Sequence, residues 1–140
     1  MHVFSIPLRV YIEDTDAGGI VYYVNYLKYM ERSRTEFLRS LGYHKPAILD
    51  GGMLLVVHSA QINYRRSARL DDQLQVTAQI EKLARTNVEF KQQVLRGSEL
   101  LCEGLIRIAC VDATSMKPSA IPTDMHRQLD QFFHSQTEKS

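Results

Sequence analysis

Little in this chain ties it to nucleic acid, a membrane or a metal. Seventeen Lys and Arg against sixteen Asp and Glu leave a formal charge of +1 over 140 residues, without the basic field that nucleic-acid binding needs. No apolar run approaches the roughly 20 residues that span a bilayer. Met1 to Pro7 lacks a basic segment followed by an apolar one, so a secretory signal is not expected there. Cysteine is scarce. Cys102 and Cys110 fall on one apparent strand, and at about 3.3 Å per residue they are too far apart to bond to each other. Both are expected as reduced thiols, which fits a cytoplasmic protein. His2, His44, His58, His126 and His134 share no metal-ligand spacing, so no metal site is expected. A Gly-x-Ser-x-Gly elbow and a phosphate-binding glycine loop are both missing, which argues against a serine-hydrolase triad and a P-loop. No cofactor is expected.

What remains is an ordinary apolar content, 44%, in a chain long enough to bury one core without disulfides. Residues 1–140 are expected to form a single domain, with a flexible tail from about residue 134. Residues 4 to 13 alternate as a strand. Tyr26, Leu27, Met30, Ser33, Phe37, Leu38 and Leu41 then recur at three- and four-residue steps. They predict a helix that starts near Tyr23 to Asn25 and ends at Gly42. The connector from Tyr43 to Gly52 carries a turn signal at Asp50-Gly51-Gly52 and room for one helical turn around Ala47-Ile48-Leu49. Period-two alternation follows over Met53 to Arg66, Gln73 to Leu83, Val88 to Arg96 and Leu100 to Asp112. Short turns separate these segments, which predicts antiparallel pairing between neighbours. Thr123 is placed to cap a last short helix running to about Phe133. One long helix on a five-stranded antiparallel sheet is an α+β architecture. Its open edges favour a homo-oligomer.

The chemistry concentrates in Asp14-Thr15-Asp16-Ala17-Gly18-Gly19, between the first strand and the long helix. A carboxylate stands there on a glycine-rich turn beside a helix N-terminus, whose unpaired N–H groups suit a developing oxyanion. Those two elements are the minimum equipment for acyl transfer. Taken alone, an Asp-x-Asp turn is more often two residues bonding their own backbone.

The run from Asp14 to Tyr26, in this strand–helix setting, resembles the hot-dog fold acyl-CoA thioesterases. The branch with 4-hydroxybenzoyl-CoA thioesterase and the Tol–Pal-associated bacterial enzymes is the most similar. Glu31-Arg32-Ser33-Arg34-Thr35-Glu36 and Ser67-Ala68-Arg69-Leu70-Asp71-Asp72 resemble the Tol–Pal-associated group. The resemblance covers Arg9 to about Pro122. It implies that Asp16 is the catalytic carboxylate, that Asp14 forms the turn, and that the backbone N–H of Tyr23 is the oxyanion donor. It also implies a pantetheine arm running between two subunits, substrate contacts at Gly19 and Tyr26, and Arg85 on the CoA phosphates. Ile12 and Tyr23 stand where the Tol–Pal-associated group often carries tyrosine and histidine. On that side the chain is closer to the hydroxybenzoyl type.

The resemblance therefore implies hydrolysis of acyl-CoA thioesters by a cytoplasmic homodimer or homotetramer. Hydrolysis of acyl-carrier-protein thioesters is a variant, with that carrier as partner. A non-catalytic module binding acyl-CoA or a protein is the alternative, and it would be favoured by an Asp16 buried against a fixed arginine with no cleft beside it. Asp16 could attack the thioester directly or activate water, and the sequence leaves both routes open.

Overall fold

The computed structural model describes residues 3–138. In chain order the elements are β1 (Phe4–Arg9), α1 (Asn25–Ser40), β2 (Ile48–Leu49), β3 (Met53–Tyr64), β4 (Gln73–Leu83), β5 (Asn87–Arg96), β6 (Glu99–Asp112) and α2 (Thr123–Glu138). All six strands join one antiparallel sheet in the order β1-β4-β5-β6-β3-β2. The expected architecture is present with one strand more than the five expected.

The extra strand is β2. Ile48 and Leu49 pair with Leu54 and Met53 rather than forming a helical turn. Gly51 and Gly52 both adopt positive φ (82° and 77°), which lets the chain reverse tightly enough for this short hairpin. At the other edge, β1 stops at Arg9 instead of running on to Glu13. Local bonding wins there: the Tyr11 N–H donates to the Asp14 carboxylate at 2.9 Å, and Ile12–Asp14 close a single 3-10 turn. The last helix begins one residue earlier than expected, at Thr123 itself. The Pro122 carbonyl accepts the His126 N–H, so Pro122 holds the cap position and Thr123 is already helical. α2 continues past Phe133 to Glu138, through much of the tail expected to be flexible; residues 139 and 140 lie outside the described residues.

Strand order is the larger departure. β4, β5 and β6 pair with their sequence neighbours, but β3 pairs with β6 and β4 with β1. Residues 65–72 therefore cross the end of the sheet over three strand spacings, roughly 14 Å. Their backbone is spent elsewhere. Ala68 accepts the Val21 N–H and Asp72 the Val10 N–H, both at 2.9 Å. Asp71 turns the corner with φ 69°.

The sheet curls round α1, whose buried residues include Tyr26, Tyr29, Met30, Ser33, Arg34, Phe37 and Leu38. Phe37 is the hub of the core, meeting Phe4 of β1, Phe90 of β5 and Phe132 of α2 at centroid distances of 5.5, 5.8 and 4.6 Å. α1 ends as predicted: Gly42 takes φ 105° and donates to Arg39, while Tyr43 reaches back to Leu38, satisfying two carbonyls of the last turn. α2 is tied to the sheet by Gln136, whose amide both accepts from Ile80 N–H and donates to Ile80 C=O at 2.9 Å, beside a bulge in β4.

Candidate active site

The Asp14–Gly19 turn is built by its own backbone. The Asp16 N–H donates to the Ile20 carbonyl and the Gly19 N–H to the Asp16 carbonyl. Gly19 supplies the positive φ of 78° that this closure requires. Asp14 anchors the turn rather than facing a ligand. Its carbonyl takes the Tyr22 N–H at 3.0 Å and the Asn25 side-chain amide at 2.8 Å. The buried hydroxyl of Tyr29 is raised well above its ordinary pKa by burial first, then by the Asp14 carboxylate.

Asp16 is different. One carboxylate oxygen accepts the Gly18 N–H at 2.9 Å, and the other has no hydrogen-bond donor among the described residues. The side chain is exposed and lines a cavity of about 360 Å³ with Ile20, Val21, Tyr22, Tyr23, Tyr26, Tyr64, Arg65, Arg66 and Ser67. Asp16 has no ion pair among the described residues.

The entrance to α1 supplies free donors. Asn25, Tyr26 and Leu27 bond back to Tyr22, Tyr23 and Val24, tightening the first turn into 3-10 geometry. The N–H groups of Tyr23 and Val24 donate to no other group among the described residues, and Tyr23 is on the cavity wall. A carboxylate with a free oxygen and an unpaired helix-start N–H on the same cavity can bind and attack a carbonyl carbon.

Of the residues expected to bind substrate, Tyr26 lines the cavity but is 3% exposed. Its phenolic oxygen accepts the Ala68 N–H, and burial raises its pKa. Gly19 shapes the turn without lining the cavity. Arg85 lies beyond the far end of β4 from Asp72, some 35 Å of strand away at the usual rise, so a single chain does not bring it to Asp16. The second wall, Tyr64 to Ser67, is not assigned to the site by the sequence, where Arg65 and Arg66 read as solvated strand-end charges rather than phosphate ligands. The Arg65 and Arg66 N–H groups both donate to the Leu101 carbonyl, a local irregularity that ends β3 beside the Asp16 turn. Adjacent arginines at the end of an alternating strand were its only signal. Arg65 and Arg66 are paired with Glu103 (3.0 Å) and Glu99 (3.1 Å).

A family model described as thioesterase-like superfamily matches residues 10–129. The chain belongs to the thioesterase-like superfamily. Among curated members, the acyl-CoA thioesterase YbgC of Haemophilus influenzae is 41% identical over 123 residues, covering 87% of this chain and 90% of that protein. The acyl-CoA thioester hydrolase YbgC of Escherichia coli is 37% identical over 130 residues, covering 92% and 97%. Among solved structures, a probable thioesterase from Bartonella henselae superposes with a TM-score of 0.76 at 32% identity over 86% of this chain and 98% of its own. The DHNA-CoA thioesterase of Staphylococcus aureus superposes at 0.90 over 100% and 97%, but at 21% identity it speaks to the fold alone. The hot-dog fold and the enzyme class, a thioester hydrolase, follow from this thioesterase-like membership.

Proposed function

We propose that this thioester hydrolase cleaves acyl-CoA thioesters, with Asp16 as nucleophile or general base and the Tyr23 N–H as oxyanion donor. One observation carries the reading: the free oxygen of Asp16 and the unpaired N–H of Tyr23 belong to walls of the same cavity. The similar YbgC proteins, named for acyl-CoA hydrolysis, support the substrate class. Direct attack by Asp16 forms a mixed anhydride and expels the CoA thiolate, and water then cleaves the anhydride. As general base, Asp16 instead takes a proton from the water that attacks the carbonyl carbon. In both routes the charge that develops on the carbonyl oxygen meets the Tyr23 N–H. Asp16 is exposed, beside a cleft and without a fixed arginine, which favours hydrolysis over a pure binding module.

The working unit of this reading is a homodimer joined along β3. That strand pairs with β6 over its whole length but with β2 only at Met53 and Leu54, leaving a long edge with unpaired backbone groups. Tyr64 and Val57 on it are 47% and 55% exposed. Antiparallel pairing of two such edges about their middle brings the Tyr64 end of one, with its Asp16 cavity, against the Leu55 end of the other. Arg85 of the second subunit then lies on the same side as the first subunit's Asp16, where a CoA phosphate can meet it. The free, buried thiols of Cys102 and Cys110 support a cytoplasmic setting. No helix among the described residues is long and apolar enough to cross a membrane.

Asp16→Asn tests the assignment, because asparagine can still accept the Gly18 N–H. CoA release from a panel of aliphatic and aromatic acyl-CoAs is expected to fall by roughly 10²- to 10⁴-fold with an unchanged melting temperature. Turnover at the wild-type rate would overturn the role of Asp16.

A further inference from the structure

A second cavity, of about 230 Å³, lies between α1, the sheet and α2, away from Asp16. Its walls are mainly apolar, with Leu38, Val57, Phe90, Ile108 and Met125 among them. Val57 puts its rim on the unpaired β3 edge, next to Leu55, whose N–H donates to Ala47, and there the proposed dimer brings the partner subunit's Asp16 turn.

Arg34 interrupts this apolar lining. It is 8% exposed, and one guanidinium nitrogen donates to Gln92 Oε1 at 2.9 Å. Gln92 is itself fully buried, and its amide nitrogen donates to the Met30 and Thr77 carbonyls at 2.9 and 3.1 Å. That amide fixes the guanidinium in place without neutralising it. The other guanidinium N–H groups donate to nothing among the described residues, and no carboxylate lies within ion-pair distance. Glu31, one turn back on α1, also lines the cavity, but it is exposed and outside that distance. Burial lowers the Arg34 pKa to about 10, so the group is still a cation at neutral pH. The Glu31 charge acts on Arg34 only from a distance and offsets part of that burial effect, and a buried cation with no carboxylate in contact is unfavourable unless its donors are met. Arg34 is thus held with open donors on the wall of a mainly apolar cavity.

We infer that this cavity receives the distal end of the acyl chain and that Arg34 selects chains carrying a hydrogen-bond-accepting oxygen there. The inference rests on the acyl-CoA reading above and deepens it. The apolar walls take the methylene segment, and the fixed guanidinium takes a terminal hydroxyl or carboxylate oxygen. A plain alkyl end leaves the same donors unmet, and a site built to hydrogen-bond a substrate group discriminates against the analogue that lacks it.

The test compares straight-chain acyl-CoA thioesters with their ω-hydroxy and ω-carboxy counterparts of equal carbon number. The wild-type enzyme is expected to favour an ω-oxygenated series in kcat/KM by about tenfold to a hundredfold at the best-fitting length. The two oxygenated arms show whether the acceptor is neutral or anionic. In Arg34→Met the ratio is expected to fall to near one. Preference of the wild type for plain chains at every length, or an undiminished ratio in the variant, would overturn the inference while leaving the thioesterase reading intact. If the variant does not fold, the wild-type ratios decide alone. No CoA release from any member would overturn the acyl-CoA reading itself, and this inference with it.

Discussion

The phenolic oxygen of Tyr26 accepts the backbone N–H of Ala68 at 2.9 Å, joining the first turn of α1 to the segment that crosses the end of the sheet. Ala68 is fully buried, so no water replaces that acceptor. The same segment accepts the Val21 N–H and pairs Arg69 with Ile20. The two walls of the Asp16 cavity are thus held together by this buried hydroxyl and by the backbone bonds beside it.

Tyr26→Phe keeps the ring and removes only that oxygen. An orphaned buried N–H costs about 1–3 kcal/mol, so the unfolding free energy from urea denaturation is expected to fall by that amount, with a lower midpoint. CoA release is expected to weaken with it, because the segments that carry Asp16 and Tyr64 lose one of the bonds between them. An unchanged midpoint would mean that the bond contributes nothing net.

The two glycines of the turn separate stability from chemistry. At Gly19 a Cβ meets nothing within 4 Å but would sit at φ 78°, so Gly19→Ala costs roughly 1–2 kcal/mol of stability through the backbone alone. At Gly18 a Cβ would stand 3.3 Å from the Asp16 carboxylate oxygen. Gly18→Ala is expected to leave the denaturation midpoint nearly unchanged and to lower kcat by displacing that carboxylate. Denaturation and CoA-release assays on both variants check the contrast.

Arg96 bonds Asp72 and Glu99, both at 2.7 Å, at the end of the crossing segment. Burial works against the charge on Asp72, but the Arg69 N–H and the Arg96 guanidinium outweigh it and hold its carboxyl below the usual range. A depressed carboxylate stabilises the fold above its unfolded value, and that contribution is lost as pH falls through the lower folded value. Arg96→Met should therefore destabilise the protein at neutral pH. The gap to wild type should close in acid, below the ordinary carboxylate range, and melting curves across pH would show it. A gap that widened in acid would contradict this linkage.

Ser59 lies in the middle of the unpaired β3 edge and is exposed. Ser59→Lys would set two like charges near the two-fold axis of the proposed dimer and blunt the edge. Light scattering is expected to show a shift from dimer to monomer, with CoA release falling in parallel if the second subunit supplies the acyl cavity as proposed. A wild-type protein that is monomeric and active would exclude the β3 dimer.

Local chemistry settled a good part of this molecule from sequence alone. The alternation in β4, β5 and β6 and the stop of α1 at Gly42 follow from residues within a few positions of one another. Strand order did not. β3 passes its neighbour β4 to pair with β6, because residues 65–72 bond the Asp16 turn and Val10 instead of closing a hairpin. Ile48 and Leu49 become a strand only because Met53 and Leu54 lie opposite them. The helical period placed Leu27 inside and gave Arg34 no place in the core. In the fold Leu27 is 37% exposed and Arg34 8%, since Gln92, 58 residues away in sequence, offers a carbonyl that no local pattern announces. Sequence determined most of the elements and the Asp14–Gly19 turn, whose bonds are short-range. Tertiary structure decided what faces that turn and what lines the second cavity, because both depend on contacts between distant segments.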